Sequence, residues 1–105
     1  MISFREFVEI YESVHGEPEF EIFFSNTEKS YMIIKYDDHV SFQRCGSNDG
    51  SGEYDYSDIQ ELYSENLVDG ICLKEAWNNI ITIIVNATFD LSLREDREEF
   101  LKVRG

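Results

Sequence analysis

At 105 residues, with 42% hydrophobic and 14% aromatic side chains, the chain is large enough for one hydrophobic core and too apolar for a disordered polyanion. Twenty-two acidic residues against nine basic ones give a formal net charge of −13, which argues against direct binding of nucleic acid or of an anionic membrane, since both need clustered Lys and Arg. The expectation is a single acidic α+β domain over residues 1–105.

From the N-terminus, Phe4, Phe7, Val8, Tyr11 and Val14 fall at the i, i+3, i+4, i+7 spacing of an amphipathic helix. Ser3 and Glu6 form a candidate capping box, and Gly16 with Pro18 ends the helix. Residues 19–45 then read as a three-stranded antiparallel meander. Phe20, Ile22 and Phe24 share one face of the first strand. The second, Tyr31 to Tyr36, is apolar at both parities, as in a strand covered on both faces or lying mid-sheet. Asp37-Asp38 makes a tight turn, and the third strand brings Val40 and Phe42 inward.

Gly46 to Gly52 has three glycines and no apolar residue, which predicts a mobile loop. A second helix is expected to start near Ser57 as N-cap and to bury Ile59, Leu62 and Tyr63. Leu67 to Ile71 suggests a return to strand. Leu73, Ala76, Trp77 and Ile80 have helical spacing, which favours a short helix over a hairpin turning at Asn78-Asn79. From Ile81 to Leu93 the odd positions Ile81, Ile83, Val85, Ala87, Phe89, Leu91 and Leu93 are all apolar. That predicts one long strand, or two meeting at a bend near Asn86, with Ile83, Val85 and Phe89 buried. The charged tail from Glu95 to Val103 is expected to form a helical turn or two, capped by Ser92 with Glu95.

Reactive groups are sparse. His39 and Cys45 lie six residues apart on one strand, about 20 Å at roughly 3.3 Å per residue, too far for a nucleophile and its base. Cys45 and Cys72 read as reduced thiols, and no Cys or His spacing suits zinc. The acidic loop from Asp49 fails the calcium-loop pattern, because Tyr54 stands where glycine is required and Gln60 where the bidentate glutamate belongs. A looser cation site among Asp49, Glu53 and Asp55 is a weaker alternative to an ordinary solvated acidic surface. Gly50-Ser51-Gly52 lacks the lysine and spacing of a phosphate loop. No catalytic residue, cofactor or metal is therefore assigned.

The distribution of charge is the strongest functional signal. Seven acids and no base lie between Arg5 and Lys29, and seven more between Arg44 and Lys74. Single-sign surfaces cost stability through self-repulsion, and they attract basic partners. The second stretch also carries tyrosines, which suit contact with arginine-rich protein. The expected contact residues are Asp49, Glu53, Tyr54, Asp55, Tyr56, Asp58, Glu61, Tyr63 and Glu65. The corresponding expectation for function is a non-enzymatic protein-binding domain that occupies the basic surface of a nuclease or other nucleic-acid-handling protein. Such a domain would act in the manner of an immunity protein, or of a charge-mimicking anti-restriction or anti-CRISPR inhibitor. Alternatives are a small ligand-binding domain or enzyme with a pocket built from distant residues, and an adaptor subunit of a larger complex. With no basic-then-apolar leader at Met1 to Glu6 and no apolar run long enough to span a bilayer, the expected location is the cytoplasm.

Overall fold

The computed structural model describes residues 2–46, 53–65 and 67–103. Four helices, α1 (Phe4–Ser13), α2 (Ile59–Ser64), α3 (Leu73–Ala76) and α4 (Arg94–Val103), accompany six strands. The strands are β1 (Glu19–Phe24), β2 (Ser30–Lys35), β3 (Val40–Arg44), β4 (Glu53–Tyr56), β5 (Ile80–Val85) and β6 (Phe89–Asp90). They form one antiparallel sheet in the order β4-β3-β2-β1-β5-β6. The fold is α+β, as its alternating strands and separate helical segments imply.

The Ser3–Glu6 capping box is formed at the start of α1, each side chain accepting the other residue's backbone N–H at 3.1 Å. The meander is also present, with Tyr36 and His39 closing the Asp37-Asp38 turn through a 2.9 Å backbone bond. Strand β2 lies inside the sheet between β1 and β3, which accounts for its apolar residues at both parities.

Antiparallel partners share a face, so register divides the sheet cleanly. Phe20, Ile22, Tyr31, Ile33, Val40, Phe42, Ile83 and Val85 lie on one side and are buried. The helices pack on that side. Phe7 meets Phe20 edge-on at 5.1 Å between ring centroids, Tyr11 lies 6.0 Å from Phe20, and Trp77 stands 5.6 Å from Phe7. Trp77 also donates its indole N–H to the Ile2 carbonyl at 3.1 Å, joining the N-terminus to the segment after α3.

Several expectations change. Strand β4 replaces part of the stretch read as connection, while the predicted loop lies, beyond Gly46, outside the described residues. The N-cap of α2 is Asp58 rather than Ser57, since its carboxylate accepts the Glu61 N–H at 2.8 Å. The suggested strand at Leu67–Ile71 is a 3₁₀ turn over Val68–Gly70, because Asp69 and Gly70 adopt positive φ, 60° and 74°. Trp77–Asn79 adds a second 3₁₀ turn after α3, in line with the helical reading there.

Beyond Ile80 the bend alternative holds. Asn86 and Ala87 both have positive φ, 53° and 56°, and they reverse the chain so that Phe89 pairs with Val85. Ile83 and Val85 are buried as expected, but Phe89 is only half-buried, packing on Phe100 of α4 at 5.5 Å. Ile81 is 59% exposed because a bulge opposite Phe23 and Phe24 shifts the register there. Leu93 is exposed as well. The tail forms a full ten-residue helix, docked through Phe100 and through Arg97, which donates to the Leu91 carbonyl at 3.2 Å. Ser92 serves a different end, donating its backbone N–H to Asp90 at 2.9 Å.

Candidate functional site

The expected contact residues other than Asp49 lie on strand β4, on helix α2 or at its ends, and the structure divides those it describes by use. Asp55 and Glu65 are exposed. Asp58 and Glu61 are also exposed but hold the start of α2: Asp58 caps it, and the Glu61 carboxylate accepts the Ser57 N–H at 3.3 Å and its hydroxyl at 3.2 Å. Two of the tyrosines, Tyr56 and Tyr63, are partly buried. Tyr63 stacks on Phe4 with ring centroids 3.5 Å apart and meets the edge of Trp77, and Tyr56 packs against the core. Asp49 lies outside the described residues, as do the side chains of Glu53 and Tyr54, and with them the looser cation site.

Three basic side chains, Lys35, Arg44 and Arg97, are partly buried and bonded internally, whereas Arg5, Lys29, Lys74, Arg94 and Lys102 are exposed. The Lys35 ammonium donates to the carbonyls of Tyr11 and Val14 at 2.7 and 2.9 Å and lies 4.8 Å from the Tyr11 ring. It thereby supplies a cation to the C-terminus of α1, whose own last turn has none. Arg44 donates to Asp69 at 2.7 Å, and Arg97 is tied to Leu91. Arg5 and Arg94 pair with Glu9 and Glu98 along their own helices.

A cleft of about 430 Å³ opens between the β1–β2 turn and the Val68–Gly70 turn, lined by Phe24, Asn26, Thr27, Lys29, Tyr31, Asp69, Ile71 and Ala76. Two of its polar groups are already matched. Tyr31 donates its hydroxyl to one Asp69 oxygen at 2.7 Å while Arg44 takes the other. The Tyr31 hydrogen bond, with Arg44, holds the Asp69 carboxyl below its usual value, and burial followed by that bond pushes Tyr31 up to about 12. Asp69, expected as part of an acidic contact stretch, is thus a clasp joining the 3₁₀ turn to β2 and β3.

Burial, the largest influence on it, raises the Cys45 thiol, opposite to what a nucleophile needs. Cys72 points its sulfur toward the carbonyls of Tyr63 and Ser64, at 4.0 and 3.9 Å. His39 is stacked on Tyr36 and bonded to Asp38 at 2.6 Å, which holds Asp38 below its usual value. Among the described residues no group of three or more His, Cys, Asp or Glu is placed to hold a metal, and no helix is long and apolar enough to cross a membrane.

Sequence reasoning missed the second face of the sheet. Phe23, Met32 and Ile84 lie there, each partly exposed, and Ile34 lies beside them. The signal was present in the strands' other parity, where apolar residues occupy positions that a solvent-facing pattern would give to polar ones. No protein-family model matches the chain, and comparison with curated proteins and with solved structures gives no match.

Proposed function

We propose that this chain is a non-enzymatic acidic binding domain whose partner presents a basic protein surface, such as a nuclease or another nucleic-acid-handling protein. One observation carries the reading: acids face solvent while Lys35, Arg44 and Arg97 are spent on internal carbonyls and on Asp69. With a formal net charge of −13 the outward field is negative, and such a field steers a basic partner into encounter.

The test is association kinetics with the protein captured from the native host. Between roughly 50 and 500 mM salt the screening length shrinks about threefold, so the on-rate is expected to drop by tenfold or more. The pair Asp55→Lys with Glu65→Lys, neither of which caps a helix through its side chain, should slow association further at low salt and leave the thermal midpoint in place. An on-rate that ignores both salt and charge reversal would show that the acidity serves solubility.

A further inference from the structure

The helix-free face of the sheet combines apolar surface with acids that have no Lys or Arg partner, Asp55 alone lying 3.9 Å from the His39 imidazole. Across the strands, Gln43, Met32, Glu21, Ile84 and Asp90 form one row, and Asp55, Ser41, Ile34 and Glu19 form the next. Phe23 extends the apolar part beside Thr82 and Ser30. None of the strand positions on this face carries Lys or Arg; the strands' two basic residues, Lys35 and Arg44, sit at positions of the opposite register.

The carboxylates here are fixed by hydroxyls rather than by cations. Ser30 donates to Glu21 at 2.6 Å, and Asp90 accepts from the Ser92 hydroxyl at 2.5 Å, the Ser92 N–H at 2.9 Å and the Thr82 hydroxyl. Burial works against the Asp90 charge, yet these donors more than offset it and hold the carboxyl below its usual value. Such bonds orient a carboxylate without neutralising it, so each negative charge stands pre-positioned among half-exposed apolar side chains.

We propose that this open face is the docking surface for the basic partner, with an apolar ridge of the partner over Phe23, Met32 and Ile84 and its Lys or Arg side chains over Glu21 and Asp90. The assignment rests on the binding reading above and gives it a location. Charge selects the occupant. A second copy of this chain would set acids against acids, and a nucleic acid or anionic bilayer would be repelled, which leaves a cationic amphipathic protein surface.

The probe is a synthetic 14-residue helical peptide with leucine on one face and lysine on the other, titrated into the isotopically labelled full chain at 50 mM salt and followed by amide chemical shifts. The largest shifts should fall at residues 21–23, 30–34 and 82–84, and affinity should drop at least tenfold at 300 mM salt. A peptide of the same charge without leucines should bind at least fivefold more weakly. Met32→Ser with Ile84→Ser should lose at least fivefold in affinity, Glu65→Lys should lose less than twofold, and Ile84→Thr, which keeps β-branching, covers the case in which the double variant unfolds. Shifts confined to residues 58–65, or equal binding by the leucine-free peptide, would overturn the docking surface and leave the binding domain standing. No saturable binding at 50 mM salt would overturn both. A dimer of the free chain that the face variants dissolve would replace the basic partner with a second copy.

Discussion

On the helix-covered face of the sheet, charge is rare and fully employed: Lys35 closes the end of α1, and Arg44 clasps Asp69. On the open face charge is frequent and has no opposite partner on the strands, with Glu21 held by a hydroxyl and Asp90 by two hydroxyls and the Ser92 N–H. Both faces come from the same alternating strands, so the difference lies in what each parity was given to do. One side is selected for packing and pairs every buried charge, because an unpaired one would cost several kcal/mol. The other keeps apolar and anionic groups together in water, an arrangement that contributes little to folding and that the proposed docking would use.

The sharpest way to break this contrast is to truncate one residue on each side. Phe20 is fully buried beneath Phe7 and Tyr11, and Phe20→Ala should cost about 3–5 kcal/mol in denaturant unfolding. Met32 lies in the adjacent strand on the other face, and Met32→Ser should cost less than about 1 kcal/mol. Comparable losses at the two positions would mean that the open face is as much a part of the core as the covered one.

Alkaline pH sharpens the comparison from the covered side alone. Tyr11 and Tyr31 are both raised from 10.0 to about 12, chiefly by burial, so the folded state disfavours their phenolate forms. Stability from a raised group is fully present below the unfolded value and is lost as pH climbs through the folded one. Unfolding free energy should therefore fall between about pH 10 and 12, with a slope approaching two protons released, and Tyr31→Phe should remove about one of them. A slope unchanged by that substitution would place Tyr31 in a more open setting than its bond to Asp69 implies.

How much of this was legible follows from where the information resides. Period-two alternation with a clear turn at Asp37-Asp38 specifies the meander locally, and Ser3 with Glu6 specifies a helix start, so those elements could be read directly. Strand β4 could not, since Glu53 to Tyr56 is short and polar and becomes a strand only by pairing with β3. The 3₁₀ turn at Val68–Gly70 escaped for a similar reason: the positive φ of Asp69 is supported by Tyr31 and Arg44, residues 38 and 25 positions away. For the site, the acidic stretches were visible, but the absorption of Tyr63 by Phe4 and Trp77 depends on helix packing that no local pattern encodes.

The smallest expected effect concerns the turn that deals residues to the two faces. Between β5 and β6 the chain reverses at Asn86 and Ala87, after which Phe89 joins the covered face opposite Val85 and Asp90 the open face opposite Ile84. Both turn residues have positive φ, which hairpin turns of this kind favour because it matches the twist of the strands. Asn tolerates that region, and Asn86 is further fixed by accepting the Glu19 N–H at 3.1 Å while donating its own N–H to the Glu19 carbonyl at 2.8 Å. Ala87 gains no such support, and its Cβ crowds the backbone at a φ of 56°, a strain of about 1–2 kcal/mol. Glycine relieves the crowding but carries more entropy in the unfolded chain, so Ala87→Gly should stabilise the protein by a net of about 0.5–1 kcal/mol. Thermal and denaturant unfolding would measure the gain. A loss instead would mean that the reversal is imposed by the strands' pairing and not by the turn, and that the allocation of Phe89 and Asp90 to opposite faces does not depend on it.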